Sequence, residues 1–321
     1  MAKLNELDAI ALLERLFSSP RSRDVVLDIG DDTALVRVGG RLLAWTVDGC
    51  VEGVHFERRL LSLADVGYRS LQAAVSDLAA MGATPIGALS ALTLPKATTR
   101  RDLAALGKGQ AEAARELGCP VIGGNVSRGA ELSVTTSVLG HAPRALRRDA
   151  ARAGDELWLV GRVGLAALGL ALLQQKKTFT AAEGACVRAW RRPRALVREG
   201  RGLVGRARAC IDVSDGLAGD SAHIAGESRV RVVLEAEALR QSLDGALLSV
   251  CIRLGRDPIE AALFGGEDYA LLATGPAARR PRFARRIGRV ERGRDVWLER
   301  AEGERSRLRR GGYDHLAATC S

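Results

Sequence analysis

The sequence predicts an α+β protein with two domains. Apolar, strand-like runs alternate with alanine-rich helical segments, a pattern typical of mixed layers of sheets and helices. The 321 residues are enough for two hydrophobic cores of ordinary size. Residues 142–155, "APRALRRDAARAGD", are polar and lack strand periodicity, so we place the domain boundary there, with one domain over residues 1–145 and the other over 146–321.

Six strands and one helix are predicted from short apolar runs and from the glycine and proline residues that end them. A helix is predicted over residues 100–118, where Gly118 and Pro120 end it. Six apolar runs are predicted as strands. They are "LLAWTVDG" (42–49), "IGALSALTLP" (86–95), "LSVTTSVLGH" (132–141), "ELWLVG" (156–161), "VRVVLE" (230–235) and "YALLAT" (269–274).

The clearest helical pattern lies within residues 64–85. Its apolar positions recur at helical spacing, at Leu71, Val75 and Leu78. Gly82 suits the C-terminal cap, and Pro85 prevents the helix from continuing. Asp77 lies beside the apolar stripe of this helix rather than opposite it. We therefore do not expect Asp77 to be an ordinary solvent-exposed residue.

Composition indicates a soluble, cytoplasmic protein with no membrane partner. No uninterrupted apolar run approaches the roughly 18 residues of a membrane span, and the first ten residues lack the basic-then-apolar order of a signal peptide. The six cysteines are scattered without a C-x-x-C pair, which argues against a zinc site and against a secreted disulfide framework. We expect them to be reduced core residues.

The formal net charge of +10 raises the alternative of a nucleic-acid partner. Much of the excess lies in residues 279–310, "RRPRFARRIGRVERGRDVWLERAEGERSRLRR". Aromatic residues that could stack on bases are almost absent there, and acidic residues are interleaved with the arginines. These features argue against nucleic acid as the partner.

Acidic residues recur where predicted strands or helices end. Taken singly, each position has a simple explanation as a turn former, a hairpin residue or a helix cap. If all of them converged they would repel one another, unless cations lay between them. The acidic positions are Asp31 and Asp32, Asp48, Asp77, Asp212 and Asp215, and Glu267 and Asp268.

Carboxylates beside glycine-rich turns indicate magnesium-dependent phosphate chemistry. Hard oxygen ligands suit Mg²⁺, and glycine lets backbone N–H groups approach phosphate oxygens. The lysine-containing phosphate loop, the G-x-G-x-x-G motif and H-R-D are absent, so cations would have to offset most of the charge of a bound nucleotide. The four histidines are far apart in the sequence, and no general base is predicted. An acceptor that is already an anion, such as a phosphate monoester, hardly needs one.

Seven segments carry a more specific pattern. They are "IGDDTALV", "TVDGCVEGVHF", "VGYRSLQAAVSDLAAMGATP", "GGNVSRGAELSVTTSVLG", "IDVSDGLAGDSAHI", "GGEDYALLAT" and "GGYDHL". In this order and at this spacing they resemble the thiamine-monophosphate kinases of the aminoimidazole-ribonucleotide-synthetase-like superfamily, over about residues 24 to 316. The Asp-rich turns alone are shared with other members of the superfamily, whereas "VEGVHF", "SDLAAMGA" and "GGEDY" in combination are specific to this family.

The resemblance implies direct transfer of the γ-phosphoryl group of ATP to thiamine phosphate, with several Mg²⁺ ions and no phosphoenzyme. It also implies a homodimer. The N-terminal mixed sheet with its helices would pair with that of a second chain into a barrel, the nucleotide would bind near the interface, and a C-terminal α/β sandwich-like domain would complete the substrate site.

The resemblance also implies roles for individual residues. The metal ligands would be Asp32, Thr46, Asp48, Asp77, Asn125, Asp212 and Asp215. Residues expected to contact the nucleotide are Gly124, Asn125, Arg148 and Ser214. The thiamine side would be lined by His55, Glu267 and Tyr313, with Glu267 as a partner for the aminopyrimidine.

This sequence departs from the family pattern at two positions. The family usually has Asp where this chain has Asn125, and a second hydroxyl residue where this chain has Val47 after Thr46. These positions resemble ligands of one metal shared with Asp48, so we expect that ion to bind more weakly. The alternatives are another ATP-dependent member of the superfamily, such as an aminoimidazole ribonucleotide synthetase or a selenophosphate synthetase, and a nucleotide-binding homologue that has lost turnover.

Overall fold

A computed structural model describes residues 6–17, 22–175 and 177–308 of the chain. Its first sheet has six strands in the order β1-β2-β3-β6-β4-β5. Neighbouring strands are antiparallel except β4 and β5, which are parallel. The strands are β1 (Val25–Leu27), β2 (Ala34–Val38), β3 (Arg41–Val51), β4 (Thr84–Leu94), β5 (Val121–Arg128) and β6 (Ser133–His141).

The second sheet has seven strands in the order β13-β12-β9-β11-β7-β10-β8. Its pairs are antiparallel except β9 and β12, which are parallel. The strands are β7 (Glu156–Val160), β8 (Ala209–Val213), β9 (Arg231–Glu235), β10 (Ala270–Gly275), β11 (Arg285–Glu291), β12 (Val296–Glu299) and β13 (Arg305–Arg307).

Ten α-helices accompany the two sheets in the part of the chain that the structure describes. No helix among the described residues is both long enough and apolar enough to cross a membrane. The helices are α1 (Glu6–Leu16), α2 (Leu63–Ala80), α3 (Arg100–Leu117), α4 (Leu165–Gln175), α5 (Ala181–Arg191), α6 (Val197–Leu203), α7 (Leu217–Glu227), α8 (Ala236–Ser242), α9 (Gly245–Leu254) and α10 (Pro258–Phe264).

The predicted α+β class is confirmed, and all six predicted strands are present within two residues of their expected ends. Both predicted helices are also present, and local chemistry explains their limits. The hydroxyl of Ser62 accepts the Asp65 N–H at the start of α2, and Gly82 follows its end with φ +65°. A reciprocal capping box of Thr99 and Asp102 starts α3.

The two glycines of "VIGGNVSRG" lie within a strand rather than in a turn, because β5 continues through Gly123 and Gly124. A Cβ at Gly124 would lie 1.8 Å from the carbonyl oxygen of Ser90. The strand therefore needs glycine there because the neighbouring β4 backbone approaches too closely for any side chain.

Helix α2 lies between the two sheets and packs on both. It contacts β3 and β6 of the first sheet, and α6 and β8 on the side of the second. At Gly200 of α6 a Cβ would lie 2.0 Å from the Ala79 carbonyl oxygen, so two backbones meet there directly. Since one sheet uses residues 25–141 and the other 156–307, we propose that the domain boundary lies between them.

The first sheet leaves one face open in the single chain. The large apolar side chains on that face are about half exposed or more, including Trp45 at 54%, Val47 at 64%, Leu89 at 48% and Ile122 at 69%. Every residue of the edge strand β5 is also exposed. A continuous exposed apolar face of this kind marks a surface that another body covers.

The basic C-terminal stretch, as far as residue 308, contributes to an ion-pair network on the second sheet. Arg289 donates to Glu299 at 2.7 Å and to Glu235 at 2.6 Å, and Arg305 donates to Glu291 at 3.0 Å. Bidentate arginine pairs like these hold neighbouring strands in register. Part of the positive charge that suggested a nucleic-acid partner is thus neutralised within the chain.

Candidate active site

Three carboxylates from distant parts of the sequence meet between the sheets. Asp32 lies in the loop before β2, Asp77 is near the end of α2, and Asp212 is on β8. Each offers an oxygen, and these oxygens all lie within 4.8 Å of one another. We call these three residues the acidic triad. The structure therefore brings together three of the predicted metal ligands.

Neighbouring hydroxyl and guanidinium groups fix the orientation of each carboxylate. Thr46 on β3 donates its hydroxyl to Asp77 at 2.6 Å, and Ser76 donates to Asp212 at 2.7 Å. Arg148 donates to Asp32 at 2.5 Å. Thr46, for which the resemblance implied a role as a metal ligand, is thus in contact with the triad.

Arg148 is held by Asp31 and Asp32, the acidic pair of the sequence motif "GDD". Its backbone N–H donates to Asp31 at 3.1 Å while its guanidinium reaches Asp32. The Asp31 carboxylate also accepts the backbone N–H of Asp32 at 2.9 Å. Asp31 therefore shapes the loop, and Asp32 points its carboxylate into the triad.

Burial and mutual repulsion make the acidic triad unfavourable as three free charges. Burial raises the pKa of Asp32 to about 8, although the Arg148 guanidinium opposes this. Burial also raises the pKa of Asp77 well above its ordinary value, and the charges of Asp212 and Asp32 raise it further. The pKa of Asp212 is raised by burial against the effect of its bond from Ser76.

The triad has the features of a divalent cation site. Oxygen Oδ2 of Asp32 is buried and has no hydrogen-bond partner among the described residues, an arrangement that is costly unless a ligand completes it. The donors are hard oxygens from three carboxylates and an adjacent hydroxyl, which is the set that Mg²⁺ prefers. A cation there would offset the repulsion that burial strengthens.

The stability of the metal-free protein should fall as the pH rises from about 5 to 8.5. Burial raises the pKa of Asp48 to about 6 and that of Asp32 to about 8, so the folded state binds more protons than the unfolded state below these values. That stabilisation is lost as the pH passes through them. We expect the melting temperature in a chelator to fall across this range, and saturating Mg²⁺ to reduce the fall because it replaces the protons. A chelated melting temperature that rises with pH would contradict this.

Asp48 and Asp215 are near the triad but are not members of it. Asp48 on β3 accepts the Gly49 N–H at 2.7 Å, and the charge of Asp212 contributes to its raised pKa. Asp215 donates its backbone N–H to the buried Asp220 at 3.2 Å. Asp220 was not among the predicted site residues, because an acid in the first turn of a helix ordinarily interacts with the helix end.

Asn125 lies far from Asp48 within one chain. Across the sheet Gly49 pairs with Thr135, Thr135 with Ala91, and Ala91 with Asn125. Three inter-strand steps of about 4.8 Å separate β3 from β5 by ~14 Å. Asn125 also shares the open face of the sheet, whereas Thr46 faces the triad. A single ion cannot contact both Asp48 and Asn125 of the same chain, since Mg²⁺ ligands lie about 2.1 Å from the metal.

Glu267 is held by two residues that were not among the predicted site residues. Arg69 of α2 donates to one of its carboxylate oxygens at 2.6 Å, and the Trp190 indole N–H donates to the other at 2.5 Å. A signal for Arg69 existed in the sequence, because α2 is apolar on nearly every side and a buried arginine must find an acidic partner.

The remaining predicted residues border the same region or lie outside the described chain. The Ser214 carbonyl accepts the Glu267 N–H at 2.7 Å. His55 follows β3 and accepts the Val51 N–H on Nδ1 at 3.1 Å. Tyr313 lies outside the described residues.

Comparison with known proteins gives this arrangement a family. Residues 30–142 match the family model of the AIR synthase related protein, N-terminal domain. The thiamine-monophosphate kinase of Aquifex aeolicus is 35% identical over 300 residues, covering 92% of this chain and 96% of that protein. The Escherichia coli K12 enzyme of the same name is 36% identical over 282 residues, covering 84% and 83%. The chain belongs to the thiamine-monophosphate kinase family.

Solved structures agree with the family assignment. A structure described as AaThiL complexed with AMPPCP and TMP has a TM-score of 0.90 and 33% identity, and the match covers 98% of this chain and 99% of that one. The thiamine-monophosphate kinase of Stenotrophomonas maltophilia K279a has a TM-score of 0.75 and 34% identity, with 94% and 99% covered. The predicted membership in the thiamine-monophosphate kinases is confirmed, and with it the prediction of a kinase.

Proposed function

We propose that this protein transfers the γ-phosphoryl group of ATP to thiamine phosphate with the aid of Mg²⁺. The observation that carries the proposal is the acidic triad, in which a buried carboxylate oxygen of Asp32 has no hydrogen-bond partner within the described parts of the chain and Arg148 lies alongside. Divalent cations bound there would relieve repulsion between two phosphate anions. The relatives named thiamine-monophosphate kinase, and the related structure that holds AMPPCP and TMP, supply the substrate pair.

The roles of the chain's own residues follow from their positions. Asp32, Asp77 and Asp212 would hold cations, while Thr46 and Ser76 keep two of these carboxylates oriented. We infer that Asp48 and Asp215 extend the cation site. No side chain is required as a base, because the acceptor phosphate is already an anion near neutral pH.

Two groups of residues would position the substrates around the triad. Arg148 is a permanent cation beside Asp32, and its guanidinium would contact the nucleotide phosphates. Gly124 and Ser214 would border these phosphates. His55, Glu267 and Tyr313 would line the thiamine side. In this assignment the phosphate groups of both substrates lie near the acidic triad, and the thiamine ring lies near Glu267.

The direct test is a transfer assay with purified protein, ATP and thiamine phosphate over a range of Mg²⁺ concentrations, with thiamine diphosphate followed by chromatography. We expect product only when both substrates and Mg²⁺ are present. Nucleotide binding without product at any Mg²⁺ concentration would overturn the proposed function in favour of a homologue that has lost turnover.

We also propose that two chains form the working enzyme through the open face of the first sheet. That face carries exposed Trp45, Val47 and Leu89, and Asn125 lies on it, ~14 Å from Asp48 of the same chain. A metal shared by Asp48 and Asn125 therefore requires one residue from each of two chains. The apolar face supplies the contact area for such a dimer.

Mixing two inactive variants tests the shared site. If Asp48 of one chain and Asn125 of another serve one ion, Asp48→Asn and Asn125→Arg should each be inactive alone. A mixed dimer then contains one site with both substitutions and one intact site, so random reassociation should restore about one quarter of native activity. If each site were formed by one chain alone, every site in a mixed dimer would still carry one of the substitutions and stay inactive. Lack of recovery in a mixture shown to contain mixed dimers would therefore contradict the shared site.

The Asn125→Asp variant should need less Mg²⁺. An added carboxylate gives the cation site a further negative charge, so we expect the Mg²⁺ concentration at half-maximal activity to fall by about three- to tenfold, on the order of 1 kcal/mol of binding. The other asparagine of the chain, Asn5, lies outside the described residues and cannot serve as a matched control. The control is therefore Gln241→Glu on α8, which adds the same charge far from the site. An unchanged Mg²⁺ titration for Asn125→Asp would remove Asn125 from the metal site.

A further inference from the structure

We propose that Arg69 and Trp190 are positioning residues that hold Glu267 as a hydrogen-bond acceptor on both oxygens, and that they thereby make the enzyme select an amino group over a carbonyl on the substrate's pyrimidine ring. The proposal rests on the proposed function, because it assumes that the ring of thiamine phosphate meets Glu267. We call Arg69, Trp190 and Glu267 the carboxylate clamp.

The clamp is a closed set of contacts among three distant segments of the chain. Arg69 donates to Glu267 at 2.6 Å and to the backbone carbonyl of Trp190 at 2.8 Å. Its guanidinium carbon also lies 5.0 Å from the centre of the Trp190 ring. Trp190 in turn donates its indole N–H to Glu267 at 2.5 Å. Each member therefore orients the other two.

Backbone constraints fix the carboxylate end of the clamp. Glu267 has φ +63° and Tyr269 has φ +51°, conformations that residues other than glycine seldom adopt. The Glu267 N–H donates to the Ser214 carbonyl at 2.7 Å, and a Cβ at Gly266 would lie 2.5 Å from that carbonyl oxygen. The loop is thus tied to the turn after β8, and Glu267 has little freedom to turn away.

Both donors of the clamp are groups that can only donate. A guanidinium and an indole N–H have no acceptor atom, so both oxygens of Glu267 must act as acceptors toward the protein. The Glu267 side chain is still 30% exposed while that of Arg69 is 2% exposed. The remaining lone pairs face outward, and they can take an N–H from a ligand but repel a carbonyl oxygen.

The clamp therefore predicts a preference that depends on ring chemistry. Thiamine phosphate carries an amino group on its pyrimidine, which can donate to Glu267. The analogue with a carbonyl in place of that amino group presents an oxygen to an oxygen. Sites built around a buried polar partner reject the mismatched analogue strongly, so we expect kcat/KM to favour the amino compound by about 100-fold or more.

The experiment compares kcat/KM for thiamine phosphate and its 4-oxo analogue in the native protein and three variants. Trp190→Phe keeps an aromatic ring but removes the indole donor, and should reduce the preference about tenfold. The Glu267→Gln variant alone should bind both compounds poorly. Its amide N–H₂ is a donor, and it would face another donor, either the Trp190 indole N–H or the Arg69 guanidinium N–H. Adding Trp190→Phe to Glu267→Gln removes one conflict, and the double variant should accept the oxo analogue at least as well as thiamine phosphate.

Trp158→Phe is the matched control. Trp158 is equally buried, and its indole N–H likewise donates to a glutamate, Glu156, at 2.9 Å, but it lies on β7 away from the clamp. Its amino-to-oxo preference should equal the native value. A preference that is the same in all variants would overturn the clamp while leaving the transfer reaction intact, and absence of transfer to thiamine phosphate by the native protein would overturn both.

Discussion

The Asp77→Asn variant is expected to lose phosphoryl transfer by about 10³-fold and, in the absence of metal, to melt at a higher temperature than the native protein. The loss follows because Asp77 offers an oxygen to the acidic triad together with Asp32 and Asp212, and a cation site of this kind contributes several kcal/mol of charge stabilisation in the transition state. Activity and stability should therefore change in opposite directions.

The gain in stability comes from the removal of one buried charge. Burial and the neighbouring Asp212 and Asp32 raise the pKa of Asp77, so without metal the native carboxyl must hold a proton or endure repulsion. Asn keeps the oxygen that accepts the Thr46 hydroxyl but carries no charge. We expect a rise of about 2–4 °C at pH 8 in a chelator, and a smaller rise at lower pH, where the raised pKa lets the native carboxyl hold a proton.

Asp155→Asn is the control for Asp77→Asn. Asp155 is also buried, but it pairs with Arg208 at 3.0 Å and has no part in the triad. Its replacement should lower the melting temperature and leave the Mg²⁺ dependence of activity unchanged. Scanning calorimetry with and without Mg²⁺ measures both effects. A chelated Asp77→Asn protein that melts below the native protein at pH 8 would contradict the repulsion argument.

The Gly109→Ala variant is expected to destabilise the fold by about 3 kcal/mol. Helices α2 and α3 cross with their backbones in direct contact. A Cβ at Gly109 would lie 1.8 Å from the Ala64 carbonyl oxygen, and one at Gly67 would lie 2.0 Å from that of Leu106. No side-chain rearrangement can relieve a clash with backbone, so the helices would have to separate. Because α2 carries Asp77, activity should fall as well.

Gly107→Ala on the same helix is the matched control. Gly107 is exposed, and a Cβ there would meet no atom within 4 Å. Alanine favours the helix over glycine by about 1 kcal/mol, so this variant should be slightly more stable than the native protein. Urea unfolding of the two variants provides the comparison. Equal stabilities would show that α2 and α3 tolerate separation.

Local patterns in the sequence determined much of this protein. Apolar runs placed six strands within two residues of their observed ends, and Gly82 and Gly118 marked helix ends, because periodicity and caps depend on neighbours in the sequence. The resemblance to the family motifs predicted Asp32, Asp77 and Asp212 as metal ligands. Each of these statements concerns one short segment and the chemistry of its own residues.

Only the tertiary structure decided which of these segments meet. The acidic triad joins a loop, a helix and a strand that are far apart in the sequence, and Arg69 contacts Glu267 across 198 positions of sequence. The sequence could not show that β6 and β4 lie between β3 and β5, which places Asn125 three strands from Asp48. Strand order depends on which nonlocal pairs bury the most apolar surface, and no pattern within one segment carries that information.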